Sequence, residues 1–532
     1  MASLLEDMRM DWDEVSAKPL PFVVMVIAFM AVSLSFRFLS RSDIPHLNPR
    51  APLEFSDARS KQQFVSGARG MLAKWFASNP DKPVRVIADY GEVTVLPPGM
   101  ANEIRNDERL SFSSWVFDAF HAHLPGFEGF REGSRESHIL QSVILRDLTK
   151  QLSKSPSRVL KRDWKNNSPQ DKVTEPLTEE TTLALSEAFT ENPEWHRISI
   201  RQAVLPLVAR ISSRVFLGDS VCRNEDWLKV TREYTVDASR AAEKLRLWPS
   251  ALRPIVHWFV PECQRARAHV HEARRVITPI LEQRRQEKAS AKARGEVLEY
   301  SDAIEWLEQA AAGRYYDPVN AQLVLSLAAI HTTTDLISQV LTDLAQHPDI
   351  IEPLRQEAIS ALAANGWTKA SLYNMKLLDS VIKESQRLKP IGSASMRRVA
   401  LSKVTLADGT TIPKGSYVAV SAHKMWDEET HEKADQWDGY RFFRRRQIPG
   451  EEHSAQLVNT GPDHLGFGHG QHACPGRFFA ANEVKIALVH ILLKYDWRLP
   501  EGVVPKPRAF GFSLVADPTA SVDIRRRVGV DI

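Results

Sequence analysis

Cysteine is scarce in this chain: Cys222, Cys263 and Cys474 are its only three, scattered over 532 residues. Three thiols so far apart exclude a disulfide framework and predict a reducing, cytosol-facing environment. Charge of one sign is missing too, with 69 basic and 66 acidic side chains and a formal net charge of +3. No dense Lys/Arg tract is interleaved with aromatics, so nothing in the sequence has the footprint of a nucleic-acid binder. Internal repeats and long low-complexity segments are absent as well, which excludes a solenoid. What remains is 43% apolar and 25% charged, the composition of a globular protein with a large core. Its length exceeds the usual single domain, although some enzyme folds run this long as one unit.

Leu20 to Phe36 is a run of seventeen residues with no charge, at the short limit for crossing a bilayer. Glu6, Asp7, Asp11, Asp13 and Glu14 outnumber Arg9 and Lys18 before it, whereas Arg37, Arg41 and Arg50 follow it. Positive-inside logic then puts the bulk of the chain in the cytosol. A cleaved signal peptide wants a basic start and a small-residue cleavage site, and neither is present. The predicted organisation is a lumenal stretch 1–19, a transmembrane anchor 20–39, a connector 40–59 stiffened by Pro45 and Pro49, and a catalytic domain 60–532. A buried core helix is the competing reading of the apolar run.

Further along, apolar spacing predicts an amphipathic helix over Ser60–Ser78. Val84–Asp89 and Glu92–Leu96 read as a hairpin across Tyr90-Gly91. A short helix over Gly99–Asn106 precedes a loose, Phe- and Gly-rich region from Leu110 to Arg135, and then a helix over Glu136–Ser153. Several long helices fill Thr178–Arg294. Among them Ser199–Phe216 has a regular apolar face, and Trp248, Trp258 and Phe259 read as core aromatics under a basic surface. Asp317–His347 is the longest helix candidate, apolar nearly all round and therefore expected to run through the core. Gln356–Leu362 and Lys369–Leu388 are helical, and Val404–Leu406 pairs with Thr411-Ile412 over Asp408-Gly409. The fold class is mainly α with small β-sheets.

Three stretches carry chemistry. In Phe467-Gly468-His469-Gly470-Gln471-His472-Ala473-Cys474-Pro475-Gly476, glycines tighten the backbone ahead of a cysteine, and Pro475 suits the start of a helix. Free N–H groups and the dipole at a helix mouth favour thiolate, the form that binds metal. The competing readings are a buried small hydrophobe and a zinc site made from His464, His469, His472 and Cys474. The second stretch, Ala328-Ala329-Ile330-His331-Thr332-Thr333-Thr334, puts three β-branched alcohols inside the long helix. They can bond to carbonyls one turn back and widen it, or simply pack. The third is Glu384-x-x-Arg387, two charges on one helical face, which as an exposed pair is worth under about 1 kcal/mol.

The order Phe467-x-x-Gly470-x-x-x-Cys474-x-Gly476 resembles the haem-binding loop of the cytochromes P450, where the cysteine is the axial thiolate on haem iron. His472 stands where that family usually has a basic residue reaching a haem propionate. Glu384-x-x-Arg387 followed by Trp437-Asp438-Gly439-Tyr440-Arg441-Phe442 is similar to the family's buried ion-pair frame, with Arg441 as the later arginine. Arg398 matches a propionate-binding position. Thr332 matches the threonine that helps deliver protons during oxygen activation, and His331 stands where the family has an acid; a histidine can relay protons near neutral pH. The segment Glu136–Ser153 lacks the family's Trp-x-x-x-Arg, and His138 is the candidate substitute. Ile391–Ser395 and Ala509–Leu514, with Phe510 and Phe512, correspond to pocket-lining segments, although core packing serves equally well for the two phenylalanines.

The resemblance runs from about Ile44 to the C-terminus. It implies a P450 fold holding haem b on Cys474, and a monooxygenase fed electrons from NADPH by a separate cytochrome P450 reductase. It further implies an endoplasmic reticulum membrane protein with a single span. The wording of the loop is similar to fungal secondary-metabolism enzymes of the gibberellin and indole-diterpene oxidase type, which implies a hydrophobic terpenoid, alkaloid or polyketide substrate. Desaturation, ring expansion or isomerisation on the same fold, and a non-catalytic haem-binding protein, are the alternatives.

Overall fold

The computed structural model describes residues 44–51, 54, 56–148, 159–160 and 175–529. Contacts divide the chain into residues 1–46 and the body 47–532. The expected lumenal stretch and anchor at 1–39 lie outside the described residues. In the body, the end of the expected connector is tied down. Asn48 is buried, its amide donates to Ser60 O at 2.8 Å and Ile87 O at 3.0 Å, and its carbonyl accepts from Ile87 N.

The first helix, α1 (Ala58–Ser78), buries Phe64, Ala68, Leu72 and Phe76, a stripe at the expected spacing. The hairpin β1 (Val84–Ala88) and β2 (Gly91–Leu96) forms in the register Val84↔Val95 to Ala88↔Gly91. The region expected to be loose carries more order than its composition suggested: strand β3 (Leu110–Ser111), helix α2 (Phe112–Ala119), started by Ser111 accepting from Ser114 N, and a turn of helix at Glu128–Gly133. Conversely, the helix expected from Glu136 begins only at α3 (Ile139–Val143) and widens into a π-helical turn at Ile144–Leu148. His138 breaks it by standing in the left-handed region at φ 49°.

Three long helices follow: α4 (Ile200–Leu217), α5 (Glu225–Arg246) and α6 (Pro261–Ala293). The segment between α5 and α6 departs from expectation. Leu247 is 80% exposed, Phe259 is 76% exposed, and Trp248, Ile255 and Trp258 are also exposed, so these aromatics form a surface patch instead of core.

Helix α7 (Pro318–Gln346) starts where the sequence says it should. Pro318 occupies the first turn, and the Asp317 side chain accepts from Val319 N and Asn320 N at 3.0 Å. It is long and apolar enough to cross a membrane by length and composition, but its apolar window is mostly buried in the protein. Around it pack α4, α5, α6, α8 (Lys376–Leu388) and the last helix, α9 (Arg477–Lys494). Met375 separates α8 from a preceding short helix, Lys369–Asn374. A sheet of strand order β1-β2-β5-β4-β3, with β4 (Ala394–Ala400) and β5 (Tyr417–Ser421), flanks the helices. Leu514 N donates to Ile391 O and Ser393 N to Phe512 O, which joins the segment just before β4 to the hairpin formed by Arg508–Phe510 and Ser513–Val515.

Candidate haem site

Local backbone geometry explains the spacing of the Phe467–Gly476 loop. Cys474 N donates to Phe467 O at 2.8 Å, closing the loop on itself. Gly470 has φ +77°, and a Cβ there would stand 2.4 Å from Arg105 Cβ and 2.7 Å from Arg105 O, so no other residue fits. The loop is clamped from that side: Gln471 N donates to Asn106 Oδ1 at 2.9 Å, and His469 Nε2 meets Asn102 Oδ1 at 2.9 Å. Gly476 caps α9, which begins at Arg477 and not at Pro475.

The position of Cys474 at the helix mouth favours the thiolate, and burial opposes it. Burial pushes the thiol up, and the Gly476 N–H and Arg477 pull it back only in part. A metal must therefore displace a proton here, as thiolate ligation ordinarily requires.

Cys474 and Thr332 line one cavity of about 240 Å³. Phe467, Phe479, Leu325 and Ala329 contribute to its mostly apolar wall. Thr332 is open to it, and its hydroxyl donates to Ala328 O at 2.8 Å and Ala329 O at 3.2 Å. Its oxygen keeps acceptor capacity toward the cavity. His331 points away from it. One ring nitrogen meets Arg232 O at 3.0 Å and the other meets the Arg201 guanidinium at 3.3 Å. Because that guanidinium donates, Nδ1 accepts and the proton sits on Nε2. Burial, then Arg201, push this imidazole down to about 4, so it is neutral near pH 7 and holds no spare proton. That corrects the expectation of a relay titrating near neutrality. Ile391 is on the wall as expected, whereas Phe510 is exposed and Phe512 packs edge-on against Phe64. Asp335, Lys389 and Gln386 also line the cavity and had drawn no notice in the sequence. For Asp335 a signal existed: it lies three residues after Thr332, one helical turn along.

At the edge of this region lies a basic corner. Arg398, in β4, is 3% exposed and forms no ion pair among the described residues. It donates to Arg397 O at 2.7 Å and sits 5.5 Å from the Phe112 ring. Burial lowers it to about 10. Half-buried His472 is pushed down to about 4 by burial and then by Arg398 and His138. His138 itself is exposed, and with His472 it lines a second, more open cavity. A buried cation without a carboxylate is costly unless an anion joins it. Together with a cysteine facing an apolar slot, this corner fits an iron porphyrin, whose carboxylates need such partners.

The ion pairs behind the site are buried, not exposed. Glu384 and Arg387 both have 0% side-chain exposure and meet at 2.8 Å. Arg441 Nε reaches the same carboxylate at 3.1 Å. Arg387 further donates to Met425 O and Ala434 O, tying α8 to the loop ahead of Trp437.

The zinc reading fails on geometry. His464 is spent on Gln386 and His469 on Asn102 and Thr460. Among the described residues no group of three or more His, Cys, Asp or Glu could hold a metal ion.

Comparison with known proteins agrees with this geometry. The family model "Cytochrome P450" matches residues 158–522. A Gibberella fujikuroi protein named cytochrome P450 monooxygenase 1 is 53% identical over 451 residues, covering 84% of this chain and 98% of the relative. The cytochrome P450 monooxygenase hepE of Aspergillus oryzae is 50% identical, covering 91% and 86%. The cytochrome P450 monooxygenase TRI1 of Fusarium sporotrichioides is 45% identical, covering 96% and 90%.

Proposed function

Since this chain belongs to the cytochrome P450 family and is a monooxygenase of that family, we propose that it oxidises a hydrophobic intermediate of secondary metabolism, by hydroxylation or in several steps. A terpenoid, an indole alkaloid or a polyketide is the substrate class. The observation that carries this reading is a cysteine and a threonine lining one largely apolar cavity. A wall of this kind binds by excluding water and leaves few polar groups to orient the ligand.

Haem b, which Cys474 would hold through its sulfur, would supply the oxygen-activating chemistry. The chain's own residues do the rest. Phe467, Gly470 and Gly476 shape the loop that presents the sulfur. Arg398, with His472 and exposed His138 beside it, would hold the porphyrin carboxylates through charge-assisted hydrogen bonds. Thr332 holds a proton at its hydroxyl on the cavity wall. Glu384, Arg387 and Arg441 keep the surrounding framework in place.

Electrons come from NADPH through a separate reductase, and the chain is held at the endoplasmic reticulum membrane with its body in the cytosol. The uncharged run Leu20–Phe36 and its charge asymmetry support that location. So does the exposed patch of Leu247, Trp248, Ile255, Trp258 and Phe259, which suits an apolar surface.

The test is spectral and then chemical. Reduced protein with carbon monoxide gives the red-shifted Soret band of cysteinate ligation, and Cys474→Ala loses it. Candidate scaffolds that shift the ferric spectrum are then turned over with NADPH and reductase. A wild-type protein without that band, or turnover indifferent to reductase, refutes the proposal.

A further inference from the structure

We propose that Asp335, and not His331, is the acid that resupplies the Thr332 hydroxyl with its proton. This rests on the function proposed above and names one more residue for the same site. Asp335 lines the cavity together with Thr332, three residues earlier on α7, and His331 does not. Side chains three apart on a helix are neighbours. His331 is held on the far face by Arg232 O and Arg201.

The carboxyl is built to hold a proton and to release it. It is 6% exposed. Burial raises its pKa, and the partners that pull it back are the Ala516 N–H, Gln339, Arg201 and Lys389. Ala516 N donates to Oδ1 at 2.6 Å and Gln339 Nε2 to Oδ2 at 2.6 Å. Both donors stabilise the carboxylate left after the proton departs.

The charged groups facing it are few. Arg201 comes from the start of α4, and Lys389, just beyond α8, is paired with Asp343 of α7. His331 is one turn back and neutral. The segment carrying Ala516 offers its backbone, while the Asp517 carboxylate is taken by Thr519 and Lys506 N. Glu483 of α9 is engaged with Ser212 of α4 and with Thr333.

In the proposed step the Thr332 Oγ1–H bond breaks as its proton passes to an acceptor in the cavity. The Asp335 proton moves to Thr332 Oγ1, directly or over one water. A proton from solvent restores the carboxyl, and no electrons are transferred. Asp335 is thus a positioning and proton-supplying residue acting through the threonine.

Carbon monoxide on the reduced protein is the probe, because its infrared stretch senses nearby proton donors without any substrate. The wild-type band is expected to titrate as one proton through the acid-to-neutral range. Asp335→Asn abolishes the titration, and His331→Gln leaves it intact. Gln339→Leu removes a donor to the ionised form and so moves the midpoint upward, a shift that a merely structural role would not give. Gln339→Leu also serves as the test should Asp335→Asn fail to fold. A wild-type band insensitive to pH overturns the proposal. So does a titration that survives in Asp335→Asn, or one that His331→Gln removes. Failure of the parent reading looks different, since the red-shifted band is then missing from the wild type itself.

Discussion

Glu384→Gln keeps the shape of the buried frame and removes its negative charge. In the native protein that carboxylate accepts from four N–H groups: two of Arg387 at 2.8 Å, Arg441 Nε shared between both oxygens at 3.1 Å, and Asp438 N at 3.1 Å. Glutamine turns one acceptor oxygen into an NH₂ facing guanidinium donors, and Arg387, with 0% exposure, loses its counter-charge. Breaking such a pair costs about 3–5 kcal/mol, against under about 1 kcal/mol for an exposed pair. Arg387 keeps its bonds to Met425 O and Ala434 O, which favours the lower end of that range. The assay is denaturant unfolding of the haem-loaded protein, followed by far-ultraviolet circular dichroism, with the Soret band recorded in parallel. A loss below about 1 kcal/mol would refute the reasoning, because it would mean that water reaches the frame. Arg441→Gln should cost less than Arg387→Gln, since its side chain is 11% exposed and the other is fully enclosed.

Arg398→Leu should leave the fold intact and release haem roughly 10- to 100-fold faster to a haem-scavenging protein, the loss of one hydrogen bond to a charged group. An unchanged release rate would remove Arg398 from the haem site. Gly470→Ala should destabilise the protein by about 1 kcal/mol or more, because the left-handed backbone and contact with Arg105 oppose any Cβ. A melting temperature equal to wild type would contradict that. Glu483 is fully buried with no cationic partner among the described residues, and burial pushes it from 4.5 up to about 8. The folded state therefore binds more protons than the unfolded one between those values. Stability should fall as pH rises through that window, by up to about 1.4 kcal/mol per pH unit. Glu483→Gln should flatten that slope and be the more stable protein on the alkaline side; a slope identical in both would show that Glu483 ionises freely.

Much of this molecule was legible because its constraints are local. Asp317-Pro318 starts a helix through bonds within one turn, Tyr90-Gly91 closes a hairpin between neighbouring strands, and the glycine spacing before Cys474 is set by a loop that bonds to itself. Such features read directly from contiguous residues, and so did the fold class and the cysteine. Periodicity shows which face of an element is apolar but not what covers it. For that reason Trp258 and Phe259 could not be told from core, nor Glu384 and Arg387 from a surface pair. The Cys474 thiol, the orientation of His331 and the place of Asp335 on the cavity wall were likewise decided by tertiary packing. Each depends on which distant atoms displace water and supply charge: Arg201 and Arg232 for the histidine, Ala516 for the aspartate, and burial for the sulfur. Sequence determined the chemical groups and their local geometry; the packed chain decided which of them meet, and in what protonation state.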